Sequence, residues 1–404
     1  MSADRTIRRD RVLDLVKTSA LLVVVVGHSL AWDLTDGEPG SVLQARPSLG
    51  VVTWLFQLLP LFFAAGAVTN LACWHRYRDG SDPHPARAYQ QHRLVRLATP
   101  AVVYSLVWTS VGLVAAAGSD EATAVGKFLS QLTWFLGVYT LVVIAVPLSA
   151  RGAERPWPTL GVGLALILSV DLLRWQVVAT AGWVNFVLVW GWLHQLGYHL
   201  PGLRQVGRWR LLGAAAAAFG TAVLLTVLGP YAPTMVSVTG EEKMSNLSPP
   251  TVVLALVGLA QVLVLAAAWS ALARVMQRAR WWWAVAAVGS RSIGIYLWHI
   301  PLVGLVAVAA WWAPWQLPAL SGAWWLAHVL GLAGVFLVVW PLAGLAGDVD
   351  RAWERWGSRL RPRVGTTLAV AAVPLVILNA SVTGYATWWG PGLFGLPSSS
   401  LLNM

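Results

Sequence analysis

Asp14-Leu-Val-Lys17-Thr-Ser-Ala-Leu-Leu-Val-Val-Val-Val-Gly27-His28 is the stretch on which the reading of this chain turns. The apolar run that contains it starts near Leu15 and is long enough to cross a bilayer as a helix, which takes roughly 20 residues. Eleven steps of about 100° bring Lys17 and His28 back to nearly the same helix face, ~16 Å apart along the axis. A histidine inside an apolar span is costly to keep, so its presence there points to a function. The run follows a strongly basic segment, exceeds a signal-peptide core in length and lacks a convincing cleavage site. It therefore reads as an uncleaved first span.

The rest of the chain has the same character. Of 404 residues, 57% are hydrophobic and only 11% are charged, against about 25% charged in a soluble domain. Mean hydropathy is +0.64. Trp is abundant at 26 residues. Clusters such as Trp281-Trp282-Trp283, Trp311-Trp312, Trp324-Trp325 and Trp388-Trp389 fall near the ends of apolar runs, where interfacial belts form. The expected fold is all-α, a polytopic transmembrane helical bundle. Spans are expected near 13–33, 50–73, 97–117, 128–149, 158–175, 180–199, 211–230, 250–273, 283–311, 322–346 and 366–389, a ten-span core plus one extra C-terminal span. Pro301 makes a kink or re-entrant turn an option in the ninth. The domain reading is 1–348 for the core, with 349–404 as a cytoplasmic linker, the added helix and a short outer tail.

The basic residues test this layout. With the N-terminus inside, 24 of the 28 Lys and Arg fall in inner segments, leaving only Arg46, Lys127, Arg174 and Lys243 outside. That asymmetry supports an integral membrane protein with its N-terminus cytoplasmic and its C-terminus outside. It also explains the net charge of +11 without nucleic acid as a partner. Abundant Arg and Ala, with little Lys and Asn, suit a high-GC bacterial genome and hence the plasma membrane. The single cysteine, Cys73, excludes an intrachain disulfide and a cysteine-built metal centre. No His or carboxylate spacing supports any other metal site.

Several groups are candidates for chemistry. His28 is either a hydrogen-bonded packing residue or a general base, and the second reading is preferred for an ionisable group at that depth. Lys17 is a snorkelling boundary cation, paired with Asp14, or part of the same functional line. Arg93 and Arg96 lie one turn apart before Pro100, and guanidinium forks on one face suit a phosphorylated ligand. In Ser292-Ile-Gly-Ile-Tyr296-Leu-Trp-His299-Ile-Pro301, Tyr296 and His299 share a helix face. His299 lies at a depth similar to that of His28, so the two histidines either face one cavity or, in the case of His299, pack helices together. Mid-membrane carboxylates, common in coupled pumps, are scarce.

In this arrangement the chain resembles acyltransferase family 3, the polytopic membrane O-acyltransferases, from about Arg11 to Asp348. The family's first span carries an Arg, ten residues, then a His, here Lys17 and His28. Phe62-Phe63-Ala64-Ala65-Gly66 matches a Phe-Phe-x-Ser-Gly motif. Arg93, Arg96 and Pro100 match Arg-x-x-Arg-x-x-x-Pro, and Trp134-Phe135-Leu136 matches a Trp-Phe-Leu of the fourth span. Ser292, Tyr296, Leu297, His299 and Pro301 match a late Ser-x-x-x-Tyr-Leu-x-His-x-Pro. The resemblance implies transfer of an acyl group, acetyl foremost, from cytoplasmic acyl-CoA to a hydroxyl of a glycan, lipid or small molecule. No tightly bound cofactor is implied. His28 and Lys17 become the catalytic pair, Arg93 and Arg96 the donor site, and Trp134, Tyr296 and His299 the substrate-binding residues. Two positions depart from the pattern: Lys17 keeps the charge without the bidentate fork, and Ala65 lacks the motif hydroxyl. The competing expectation is a non-enzymatic carrier or exporter of a lipid-linked sugar or small molecule.

Overall fold

The computed structural model describes residues 10–33, 40–114, 120–238, 243–312, 317–357 and 376. In chain order the helices are α1 (Arg11–Ala31), α2 (Val42–Ala45), α3 (Thr53–Phe56), α4 (Leu59–Arg78), α5 (Pro85–Val114), α6 (Asp120–Ser130), α7 (Thr133–Ile144), α8 (Val146–Ser149), α9 (Pro156–Gln176), α10 (Asn185–Gly197), α11 (Leu200–Leu203), α12 (Arg208–Leu228), α13 (Val252–Met276), α14 (Ala279–Gly289), α15 (Ser292–Trp311) and α16 (Gly322–Gly357). A two-residue antiparallel pair, β1 (Trp32–Asp33) with β2 (Gly40–Ser41), follows α1. Nine segments among the described residues are long and apolar enough to cross a membrane. The chain is a helical membrane protein.

The departures from the expected spans have physical reasons. The sixth expected span forms as a 3₁₀ turn over 179–184 followed by α10. At ~1.5 Å per residue, α10 alone spans about 20 Å, short of the ~30 Å hydrocarbon layer. The ninth run, 283–311, is two helices, α14 and α15, with Ser290 as the C-cap of the first, its Oγ donating back to the Ala287 carbonyl at 2.7 Å. α15 continues through Pro301 to Trp311 without ending. α5 begins at Pro85, well before the expected start of the third span, so Arg93 and Arg96 sit inside a helix rather than leading into one. Residue 348 lies within α16, and the eleventh expected span, 366–389, lies outside the described residues apart from Val376.

The chain divides into two compact units. The first comprises 1–24, 48–69 and 152–292; the second comprises 25–47, 70–151 and 293–404. In the first unit α10 packs at very close range. A Cβ on Gly197 would lie 2.3 Å from the Ala64 carbonyl oxygen, and one on Gly258 would lie 2.4 Å from Leu193. Small residues permit such approaches where helices meet in a membrane. Phe63 stacks on Trp190 with centroids 4.7 Å apart. Asp171, buried near the end of α9, accepts from Asn185 Nδ2 at 2.8 Å, from the Val252 N–H at 2.8 Å and from the Tyr231 hydroxyl at 3.3 Å. It thereby caps the start of α13. Burial first, and then the charge of Asp171, push the Tyr231 phenol above its ordinary value, so it remains a donor.

In the second unit the fourth span is interrupted. α6 stops at Ser130 and α7 starts at Thr133. Helix ends inside a membrane need partners for their carbonyls, and this break has them. Ser130 Oγ donates to the Lys127 carbonyl at 3.1 Å and Thr133 Oγ1 to the Ser130 carbonyl at 2.7 Å. The hydroxyls of Tyr104 and Tyr296 donate to the carbonyls of Leu129 and Leu132, each at 2.9 Å. At the far end of α7, the Tyr89 hydroxyl and Gln90 Nε2 donate to the carbonyls of Val143 and Ile144 at 3.2 and 3.0 Å.

Candidate functional site

The second unit gathers most of the residues singled out from the sequence. His28, on the last turns of α1, is half-buried, while His299 on α15 has no exposed surface. His28 Nδ1 lies 3.0 Å from His299 Nε2. The ring planes differ by 12° and the centroids are 5.3 Å apart, so the rings meet edge to edge along the nitrogen–nitrogen line. The other nitrogen of His299, Nδ1, lies 3.0 Å from the Ile295 carbonyl one turn back on α15.

From His299 a series of contacts leads to Arg93. Tyr296 is 6.1 Å from His299 between ring centroids, and Phe135 on α7 is 5.0 Å from Tyr296. Phe135 lies parallel to Tyr139, one turn along, at 5.9 Å. The Tyr139 hydroxyl accepts from Asn70 Nδ2 at 3.4 Å, and Asn70 Oδ1 accepts from Arg93 Nη2. Asn70 is fully buried; Phe135, Tyr139 and Tyr296 are nearly so. Arg93 is half-buried, and its Nε has no hydrogen-bond partner among the described residues. Arg96, one turn on, is exposed. Trp134 joins the series through Phe135, edge to face at 6.2 Å.

Other contacts fix the helix that carries His28. Just beyond α1, the Trp32 ring stacks on His328 at 3.9 Å, and Trp324 stacks on the same imidazole at 3.7 Å. Trp324 Nε1 donates to Asp33 Oδ1 at 2.9 Å. His328 Nδ1 and Nε2 lie 2.8 and 3.1 Å from the Trp324 and Trp32 carbonyls. His328, which offered no ligand spacing in the sequence, serves here to hold the end of α1.

Lys17 belongs to the first unit. α1 is unbroken from Arg11 to Ala31, so the eleven-residue spacing from Lys17 to His28 is preserved on a single helix. The Lys17 ammonium pairs with Asp14 at 3.6 Å. Ala65 is fully buried, within the stretch of α4 that α10 approaches.

Tyr296 gives its hydroxyl to the Leu132 carbonyl, and its ring faces Phe135 and His299. Sequence reasoning passed over Asn70 and Tyr139. The available signal was Asn70 itself, a lone amide within the apolar run of α4. Among the described residues, no group of three or more His, Cys, Asp or Glu converges as a metal ion needs.

In comparison with known families, the acyltransferase family 3 model, described as an acyltransferase domain, covers residues 10–344. No curated protein and no solved structure matches the chain. That family match takes in the first-span histidine, both arginines of α5 and the late Tyr-Leu-x-His motif. The chain thus belongs to acyltransferase family 3, and it is a membrane-embedded acyltransferase.

Proposed function

We propose that the protein transfers an acyl group, acetyl foremost, from cytoplasmic acyl-CoA to a hydroxyl on a glycan, lipid or small molecule of the cell envelope. The observation that carries this reading is the unbroken series of contacts from Arg93 to His28 in one unit. It joins an arginine, a side chain suited to phosphate, to an imidazole inside a membrane span.

Arg93 and Arg96 hold the phosphates of the CoA head. Arg93 is oriented by Asn70, and Arg96 one turn on is exposed. The thioester arm lies along Phe135, Trp134 and the ring of Tyr296. These are uncharged surfaces suited to an uncharged chain. The acceptor oxygen attacks the thioester carbonyl while His28 takes the hydroxyl proton. The tetrahedral intermediate collapses with loss of CoA thiolate, which receives the proton back from His28. General-base action of this kind contributes about 10²–10⁴-fold in rate. Lys17 supports the line from the cytoplasmic end of α1. The concentration of basic residues in alternate segments favours a plasma-membrane protein with the N-terminus inside, which puts the donor arginines on the cytoplasmic side.

The test is acetyl transfer by membranes holding His28→Ala protein, with folding checked by monodisperse extraction. Loss of acetyl-CoA-dependent thiol release is expected. Turnover near that of the wild type sinks the assignment of His28. Substrate flux without thiol release favours a carrier.

A further inference from the structure

We propose that His299 is a positioning residue that fixes which nitrogen of His28 acts as the base. This inference rests on His28 being the base of the transfer. A backbone carbonyl can only accept a hydrogen bond, so the 3.0 Å contact between His299 Nδ1 and the Ile295 carbonyl puts a proton on Nδ1. A neutral imidazole has one N–H, so His299 Nε2 is an acceptor. The partner across the 3.0 Å gap, His28 Nδ1, must therefore be the donor. That leaves His28 Nε2 bare, with its lone pair available for the acceptor's hydroxyl proton. The backbone of α15 thus sets the tautomer of a residue on α1 through one intervening ring.

The same geometry argues against His299 as a substrate ligand. Its two nitrogens are engaged, by Ile295 and by His28, and the residue has no exposed surface. It does suit a supporting role once the proton has moved. His28 then carries N–H on both nitrogens, and the bond from Nδ1 to His299 Nε2 persists, strengthened by the charge on the donor. A histidine whose free nitrogen is oriented by a second group is a general device in acid–base sites. A carboxylate usually fills that place, but inside a span it would add a standing charge, whereas a neutral imidazole adds none.

The test uses the full chain in lipid nanodiscs, labelled with ¹⁵N-histidine, with His28 assigned from the spectrum of His28→Ala. The wild type is expected to show His28 protonated at Nδ1 and bare at Nε2, with a coupling across the hydrogen bond to His299 Nε2. His299→Leu should abolish the coupling and leave His28 a mixture of tautomers. His299→Gln, whose amide oxygen can accept in place of Nε2, should restore the single tautomer. In parallel, thiol release from acetyl-CoA is followed in membranes. His299→Leu should lower kcat about 10–100-fold, the range for loss of an orienting group, with KM for acetyl-CoA little changed. His299→Gln should recover most of that loss. A His28 protonated at Nε2 in the wild type, or a His28 tautomer indifferent to His299→Leu, overturns the proposal. Loss of turnover in His28→Ala together with full kcat in His299→Leu overturns the positioning role alone. Full turnover in His28→Ala overturns the assignment of the base beneath it.

Discussion

Replacing Tyr296 by Phe separates two roles that look alike in sequence. A tyrosine on the same helix face as a buried histidine reads as a substrate-binding residue, but its hydroxyl is 2.9 Å from the Leu132 carbonyl. Leu132 is the N-cap of α7. A carbonyl at that position already accepts the first bond of the helix, so deleting the tyrosine hydroxyl leaves it half-satisfied rather than orphaned. The loss is then that of one interhelical hydrogen bond in a membrane, about 0.6 kcal/mol and at most ~1.7. The ring keeps its contacts with Phe135 at 5.0 Å and His299 at 6.1 Å. Truncation to Ala removes those as well and should cost about 3–5 kcal/mol, as loss of a buried aromatic does.

Activity follows the same arithmetic. If the whole 0.6 kcal/mol appeared in the barrier, turnover would fall about threefold. A hydroxyl that moved a proton in the reaction would be worth about 10²–10⁴-fold. Steric-trap unfolding in bilayers measures the stability change, and thiol release from acetyl-CoA in membranes measures the rate. A Tyr296→Phe protein that stays folded yet loses a hundredfold in kcat refutes the structural assignment of the hydroxyl.

Three more changes probe the rest of the structure. Asn70→Leu removes the acceptor that orients Arg93; a hydrogen bond to a charged group is worth about 1.5–3 kcal/mol. CoA should therefore bind about 10- to 150-fold more weakly by calorimetry in nanodiscs, and an unchanged Kd removes Asn70 from the donor site. Gly197→Ala drives a Cβ to 2.3 Å from the Ala64 carbonyl oxygen, whereas Gly191 on the same helix has nothing within 4 Å. The first should destabilise by about 1–3 kcal/mol and the second should be near neutral; equal melting shifts would contradict the packing of α10. Asp171→Ala strands the Val252 N–H, with Asn185 and Tyr231 losing the same acceptor. The cost is about 1–3 kcal/mol for each donor left unpaired. Hydrogen exchange should then quicken at Val252 and along 231–238, and unchanged protection there would show that the carboxylate does not hold the cap.

Long apolar runs and lopsided basic residues made most spans legible, because length and charge act locally in a bilayer. The breaks were only faintly legible. Both 128–149 and 283–311 are apolar enough to read as one span, although Ser130-Gln131 and Ser290-Arg291-Ser292 fall where the helices end. What permits an end at Ser130 is the arrival of Tyr104 from another helix at the Leu129 carbonyl, with the Ser130 and Thr133 hydroxyls on the Lys127 and Ser130 carbonyls. The site shows the same division. The sequence carries His28, Arg93, Trp134, Tyr296 and His299 as scattered motifs, and their order along the chain is visible. Their joining depends on Phe135, Tyr139 and Asn70, which have ordinary packing or lone-polar signatures. Nor could the sequence say that the Tyr296 hydroxyl faces a carbonyl and not a ligand, since i,i+3 spacing fixes a face and not a partner.

The chemistry of the membrane accounts for how charge is distributed along this series. A charged side chain at mid-span costs about 2.5–3.5 kcal/mol even by insertion scales, and the residues between Arg93 and His28 meet that limit with an amide, two phenols, a phenyl ring and a neutral imidazole. The permanent charges stay nearer the helix ends, on Arg93 and Arg96 toward the start of α5 and on Lys17 beside Asp14 toward the start of α1. A thioester suits such an interior because it is uncharged until it is attacked. Within the proposed transfer, charge then arises on His28 and on the carbonyl oxygen, passes to the leaving sulfur as the intermediate collapses, and is gone once His28 returns the proton. A neutral orienting ring at His299 keeps the resting site uncharged while offering His28 an acceptor at the moment it becomes a cation.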